Sequence, residues 1–163
     1  MTSDTLTTLA TLVGAKLKAK GLMLATAESC TGGWVAQAVT AIAGSSEWFE
    51  RGFVTYSNAA KQDMLGVTPE TLATHGAVSE QTAREMAAGA LAHSHAQVAL
   101  AITGIAGPTG GTPDKPVGMV CFAWAGPGAA ERSVTKHFNG DRDSVRRQSV
   151  IFALQGVLEC LEG

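Results

Sequence analysis

Ser29 lies in a polar turn, Ala27-Glu28-Ser29-Cys30-Thr31-Gly32-Gly33, between the apolar run Leu22 to Ala25 and the amphipathic segment Trp34 to Val39. The pattern predicts a strand, a tight turn and a helix. Paired glycines let a ligand or another backbone come close. The first amides of a helix are unpaired donors at the positive end of its dipole. A serine or cysteine in such a corner can attack a carbonyl whose oxygen, as it gains charge, is held by those amides. The same residues suit a simple Ser/Thr/Gly helix cap, and the local pattern fits both readings equally.

Attack by a hydroxyl needs a base. Ala27 and Thr31 stand where a Gly-x-Ser-x-Gly nucleophile elbow has glycines, so that motif is absent. Of the histidines, His93 and His95 fall at a predicted helix end and His137 on a predicted strand. His75, just before Gly76, is in a loop and is one candidate. The other is Lys61, which with Tyr56 follows a predicted strand through Ser57-Asn58. A lysine with a free pKa of about 10.4 moves toward neutrality on burial, and a neutral amine can take the serine proton with a tyrosine hydroxyl as relay. On composition alone, Lys61 reads better as a solvated helix lysine. Cys30 is a competing nucleophile, although a buried free cysteine is usually packing.

A second loop, Thr103 to Pro116, follows the continuous apolar run Val98 to Ile102. Loops this long are usually functional or disordered. Its Thr103-Gly104-Ile105-Ala106-Gly107-Pro108 start lacks the lysine and hydroxyl of a P-loop, and no Gly-x-Gly-x-x-Gly opens a helix, so nucleoside triphosphate chemistry is disfavoured. Arg142 and Arg146, four apart, share one face of the last predicted helix and with Lys115 could bind a phosphate or carboxylate. Asp141 and Asp143 read as capping acids, and no metal or other cofactor is expected.

The elements that must position these residues alternate. Helices are predicted over about 5–20, 32–43, 59–65, 69–74, 80–94 (capped by Ser79) and from Gly140 or Asp141 onward. Strands are predicted over about 22–26, 53–56, 98–102, 117–125 and 133–138, the last two joined as a hairpin around Gly126-Pro127-Gly128. Alternation early and a hairpin late predict an α/β fold: a three-layer α/β/α sandwich with a mixed, mostly parallel sheet. No internal repeat, linker or charge block divides residues 1–163, which read as one domain.

A net charge of −2 gives no electrostatic footprint for nucleic acid. The 19 glycines gather in turns, pointing to special backbone geometry. Cys30, Cys121 and Cys160 form no Cys-x-x-Cys pair, which argues against a zinc site or a disulfide framework. With no signal-like start and no run of about 20 apolar residues, a cytoplasmic protein without a membrane partner is expected.

Taken in order, several stretches resemble one family. They are residues 27–33, Tyr56-Ser57-Asn58-Ala59-Ala60-Lys61, Leu65-Gly66-Val67, Gly76-Ala77-Val78-Ser79, residues 103–108, Lys115-Pro116-Val117-Gly118 and Phe138-Asn139-Gly140-Asp141-Arg142. Together, from near residue 6 to near residue 155, they resemble the CinA C-terminal domain family, whose stand-alone members are nicotinamide-nucleotide amidohydrolases. The resemblance implies hydrolysis of the carboxamide of nicotinamide mononucleotide to nicotinate mononucleotide and ammonia, in pyridine nucleotide salvage. It also implies a metal-independent mechanism with Ser29 as nucleophile and Tyr56 and Lys61 as partners, in the manner of serine β-lactamases. On this reading Thr31, Gly32, Gly33, Thr103, Gly104, Gly107 and Arg142 bind the substrate, and a homo-oligomer is compatible with the sequence. The alternative is a nucleotide-binding regulatory module without turnover, of the competence-damage inducible type. A role in DNA processing is disfavoured by the absence of a basic patch.

Overall fold

The computed structural model describes residues 2–127 and 129–162. In chain order the elements are α1 (Thr2–Lys20), β1 (Leu24–Glu28), α2 (Trp34–Thr40), β2 (Phe49–Val54), α3 (Asn58–Leu65), α4 (Pro69–His75), α5 (Glu80–Ala92), β3 (Val98–Gly104), β4 (Met119–Gly126), β5 (Ala129–His137) and α6 (Arg142–Leu161). The strands form one five-stranded sheet in the order β2-β1-β3-β4-β5. β1 pairs in parallel with both β2 and β3, while β4 runs antiparallel between β3 and β5. Four strands therefore point one way and β4 alone points back. This is the mixed, mostly parallel α/β sheet expected, with helices on both faces. Gly126 pairs with Ala129 across the expected hairpin, whose Gly128 lies outside the described residues.

The boundaries move where local chemistry dictates. α2 begins at Trp34, not near residue 32, because Gly32 (φ 61°) and Gly33 (φ 104°) are both left-handed, a conformation costly for other residues. β2 runs earlier than Phe53–Tyr56. It is an edge strand whose Glu50, Arg51 and Gly52 hide the apolar alternation that betrays a half-buried strand.

The two faces of the sheet differ in side-chain size. Leu24, Val98, Leu100, Ile102, Val120, Phe122 and Trp124 point to the face covered by α1, α2 and α6. The alternate positions, Ala25, Ala27, Ala99, Ala101, Cys121 and Ala123, point to α5. On the bulky side, Phe152 of α6 packs edge-on against Phe122 at 4.8 Å between centroids, and Trp124 Nε1 donates to Ala153 O. Aromatic pairs of this kind contribute about 0.5–1.5 kcal/mol beyond area burial, and they lock α6 against the sheet. On the small-residue side α5 can approach closely. A Cβ on Gly89 would overlap the carbonyl of Leu65, the last residue of α3.

Parallel pairing also brings three strand ends level. Glu28 lies opposite Val54 on one side and Ile102 on the other. The chain leaves β1, β2 and β3 at the same edge, where open α/β sheets place their ligands.

Candidate active site

Ser29 is the first residue after β1, and its backbone is fixed on both sides. Its amide donates to Ile102 O at 3.0 Å, and its carbonyl accepts from Gly32 N at 3.0 Å. Next door, the Thr55 amide donates to Glu28 O at 2.8 Å, continuing the ladder past the end of β2. Ser57 then caps α3, its side chain accepting from Ala60 N at 3.0 Å. That cap sets the phase of α3 so that Lys61 points inward. Lys61 is 1% exposed, and Nζ lies 2.9 Å from Ser29 Oγ while donating to Thr55 O at 2.8 Å. Burial lowers the Lys61 pKa because the apolar surroundings disfavour the ammonium form. The uncharged amine can then donate to Thr55 O and turn its lone pair to the Ser29 hydroxyl. Of the two bases left open by the sequence, the structure brings Lys61 to the serine. His75, at the end of α4, faces a separate depression shared with Glu80, Arg84 and Lys115.

Ser29 and Lys61 form the floor of a pocket of about 320 Å³, within the usual size range for small-molecule sites. Thr103, Gly104, Gly107 and Arg142 line its walls with Ala77, Val78 and Ile105. The Thr103 hydroxyl donates to Ala77 O at 2.8 Å, joining the loop after β3 to the segment before α5. At the mouth stands Tyr56, 64% exposed. Its hydroxyl accepts from Arg142 Nη2 at 3.2 Å, while Arg142 Nη1 donates to Gly107 O at 2.8 Å. Tyr56 is thus on the solvent-exposed part of the pocket lining and Lys61 on its buried part.

Thr31, Gly32 and Gly33 are not among the lining residues. The amides expected to be free at this turn are largely used internally. Gly32 N closes the turn onto Ser29 O. The Glu28 carboxylate, 1% exposed, accepts from Val35 N at 2.9 Å, Ala36 N at 3.0 Å and the Thr31 hydroxyl at 2.7 Å. A buried acid of the chain itself therefore occupies the positive end of α2. Sequence reading missed this use of Glu28, although an acid just ahead of a predicted helix is a signal for it. Arg146 and Lys115 are likewise turned away from the pocket: Arg146 donates to Cys30 O and Thr31 O, and Lys115 to His75 O. Asp141 caps α6 by accepting from Ser144 N at 2.9 Å.

Cys30 lines the pocket, but burial pushes its thiol up to about 12. Little thiolate exists at neutral pH, so Cys30 is a poor nucleophile beside Ser29. Among the described residues no three or more His, Cys, Asp or Glu gather as a metal site, and no helix is long and apolar enough to cross a membrane.

A serine lies against a buried lysine that has no carboxylate partner among the described residues, at the carboxyl edge of a three-layer α/β sheet, an arrangement compatible with nucleophilic acyl transfer. The family follows from comparison with known proteins. Residues 6–161 match the CinA C-terminal domain, and the chain belongs to that family. It is 58% identical over 158 residues to the nicotinamide-nucleotide amidohydrolase PncC of Escherichia coli K12, covering 95% of this chain and 94% of that one. The PncC of Pseudomonas putida is 51% identical over 156 residues, with 96% and 97% covered. Among solved structures, the competence/damage inducible protein CihA from Agrobacterium tumefaciens superposes with a TM-score of 0.93 at 47% identity, covering 98% of this chain and 96% of that one.

Proposed function

We propose that this protein hydrolyses the carboxamide of nicotinamide mononucleotide to nicotinate mononucleotide and ammonia, with Ser29 as nucleophile and Lys61 as base. The observation that carries the reading is the 2.9 Å approach of a buried lysine to the serine hydroxyl, in a chain 58% identical to an amidohydrolase over nearly its whole length. Lys61 takes the Ser29 proton as Oγ attacks the carboxamide carbon. The tetrahedral intermediate collapses as Lys61 returns that proton to the nitrogen, and ammonia leaves. The nicotinoyl ester on Ser29 is then cleaved by a water that Lys61 deprotonates, restoring both side chains. No metal or cofactor takes part in these steps.

The pocket divides the labour. The carboxamide reaches the floor, while the ribose and phosphate lie toward Thr103, Gly104, Gly107 and Arg142. Arg142 supplies the guanidinium for the phosphate. Tyr56 stands at the mouth with its hydroxyl held by Arg142, and its part is in substrate retention. Such a substrate and such chemistry belong in pyridine nucleotide salvage inside the cell.

The test is ammonia release from nicotinamide mononucleotide by the wild-type protein and by Ser29→Ala, each with and without chelator. Chelator-insensitive turnover, lowered by roughly 1,000-fold or more in the variant, is expected. Turnover near the wild-type rate in Ser29→Ala removes Ser29 as nucleophile. Tight binding without ammonia release in the wild type favours the regulatory module.

A further inference from the structure

Arg146 is absent from the pocket lining, yet its guanidinium holds two backbone carbonyls of the nucleophile turn. It projects from α6 one turn beyond Arg142. Its Nε donates to Cys30 O at 3.0 Å and its Nη2 to Thr31 O at 3.1 Å. The guanidinium lies 5.5 Å over the ring of Trp34, the first residue of α2. Both carbonyls belong to peptide planes that follow Ser29.

Peptide planarity turns this grip into a constraint on the nucleophile. The Thr31 carbonyl and the Gly32 amide belong to one rigid plane and point in opposite directions. Holding Thr31 O therefore aims Gly32 N–H at Ser29 O, the 3.0 Å bond that closes the turn. The Cys30 carbonyl is coupled in the same way to the Thr31 amide. From the other side, Glu28 holds the Thr31 hydroxyl and the amides of Val35 and Ala36. Ser29 N is already fixed by Ile102 O. Arg146 completes the enclosure, leaving the Ser29 side chain directed at Lys61. A guanidinium suits the task because its planar fork reaches two acceptors at once while its charge lies over an aromatic ring; an ammonium is a single point charge.

We infer that Arg146 is a positioning residue for the nucleophile: by clamping the Cys30 and Thr31 carbonyls it orients the peptide planes that aim Ser29 at Lys61. The inference rests on the serine mechanism above and extends it to a residue that meets no substrate. It requires loss of Arg146 to slow attack by Ser29 and leave substrate affinity nearly unchanged.

The experiment compares wild type, Arg146→Ala, Arg146→Lys and Arg146→Gln in three measurements. They are kcat and KM with nicotinamide mononucleotide, the rate of Ser29 labelling by a fluorophosphonate probe, and thermal unfolding. In Arg146→Ala, kcat and labelling rate are expected to fall together by roughly 10- to 100-fold, the scale for a misplaced reacting group, with KM within about twofold. Added methylguanidinium should restore part of both rates, while Arg146→Lys should restore neither. Unchanged kcat and labelling in folded Arg146→Ala overturns the inference. So does a raised KM with normal labelling, which would make Arg146 a substrate ligand. If Arg146→Ala does not fold, Arg146→Gln, which keeps one donor, is judged by the same criteria. A wild type that labels at Ser29 but releases no ammonia refutes the amidase reading alone, and the positioning role is then decided by the labelling rates.

Discussion

On the floor of the pocket, Ser29 and Lys61 are buried and held by backbone groups and by each other, whereas at the mouth Tyr56 and Arg142 meet solvent and hold one another by a single bond at 3.2 Å. The floor rests on strand ends and a capped helix. The mouth draws on three separate segments: the exit from β2, the loop after β3 and the start of α6. Buried polar contacts of the first kind are costly to break, while an exposed one contributes little and is screened by salt. On the proposed mechanism, the chemistry falls to the floor and the affinity to the mouth.

That division breaks most visibly at Lys61. Lys61→Met should lower kcat by roughly 100- to 10,000-fold with a smaller change in KM, read from steady-state ammonia release. In the wild type, kcat should rise with pH as Lys61 loses its proton, along a limb displaced below the ordinary lysine range by burial. Stability carries the same signature. Because the folded pKa is lowered, the unfolded chain binds more protons between that value and about 10.4, so stability rises with pH across this window. Lys61→Met should lack that part of the rise in a series of thermal melts.

The mouth should answer differently. Arg142→Ala is expected to raise KM for the mononucleotide by roughly 10- to 100-fold, the scale of a lost charged hydrogen bond, with kcat changed about threefold or less. The KM of nicotinamide riboside, which has no phosphate, should move little. Tyr56→Phe keeps the ring and loses only the bond to Arg142, so its effect should be smaller and should vanish in the Arg142→Ala background, as a double-mutant cycle will measure. A large kcat loss in Tyr56→Phe would move Tyr56 from the mouth to the reaction itself.

The smallest effect is expected at Cys30. It lies beside the nucleophile, but its thiol is held neutral up to about 12. Iodoacetamide at neutral pH should leave the activity of the folded protein intact, and Cys30→Ala should turn over within about twofold of wild type. Rapid inactivation by alkylation would show a thiolate that burial does not permit.

Much of this was legible in the residues. Alternating apolar runs and caps at Ser79 and Asp141 marked the elements, and the run Val98 to Ile102 marked a strand buried on both faces. β2 was misplaced because an edge strand rich in charge lacks the periodicity that reveals a strand. Ser29 was conspicuous, but its lysine neighbour was not, since Lys61 is 32 residues away and parallel pairing of β1 with β2 brings the two together. Arg142 and Arg146 looked equivalent at helical spacing, yet one reaches the pocket and the other grips the turn behind it. Periodicity gives a shared helix face; it does not give the depth at which each side chain meets its neighbour.

The alanine-lined face of the sheet has a bearing on all this that lies far from the substrate. Leu65, whose carbonyl leaves no room for a methyl group at Gly89, sits one helical turn after Lys61 on α3. The bare backbone of α5 thus acts as a gauge block: it sets how deeply α3 can settle, and with it the reach of the lysine amine to the serine. A single hydrogen atom at position 89, in place of a methyl, lets the lysine amine and the serine hydroxyl stay within one hydrogen bond of each other.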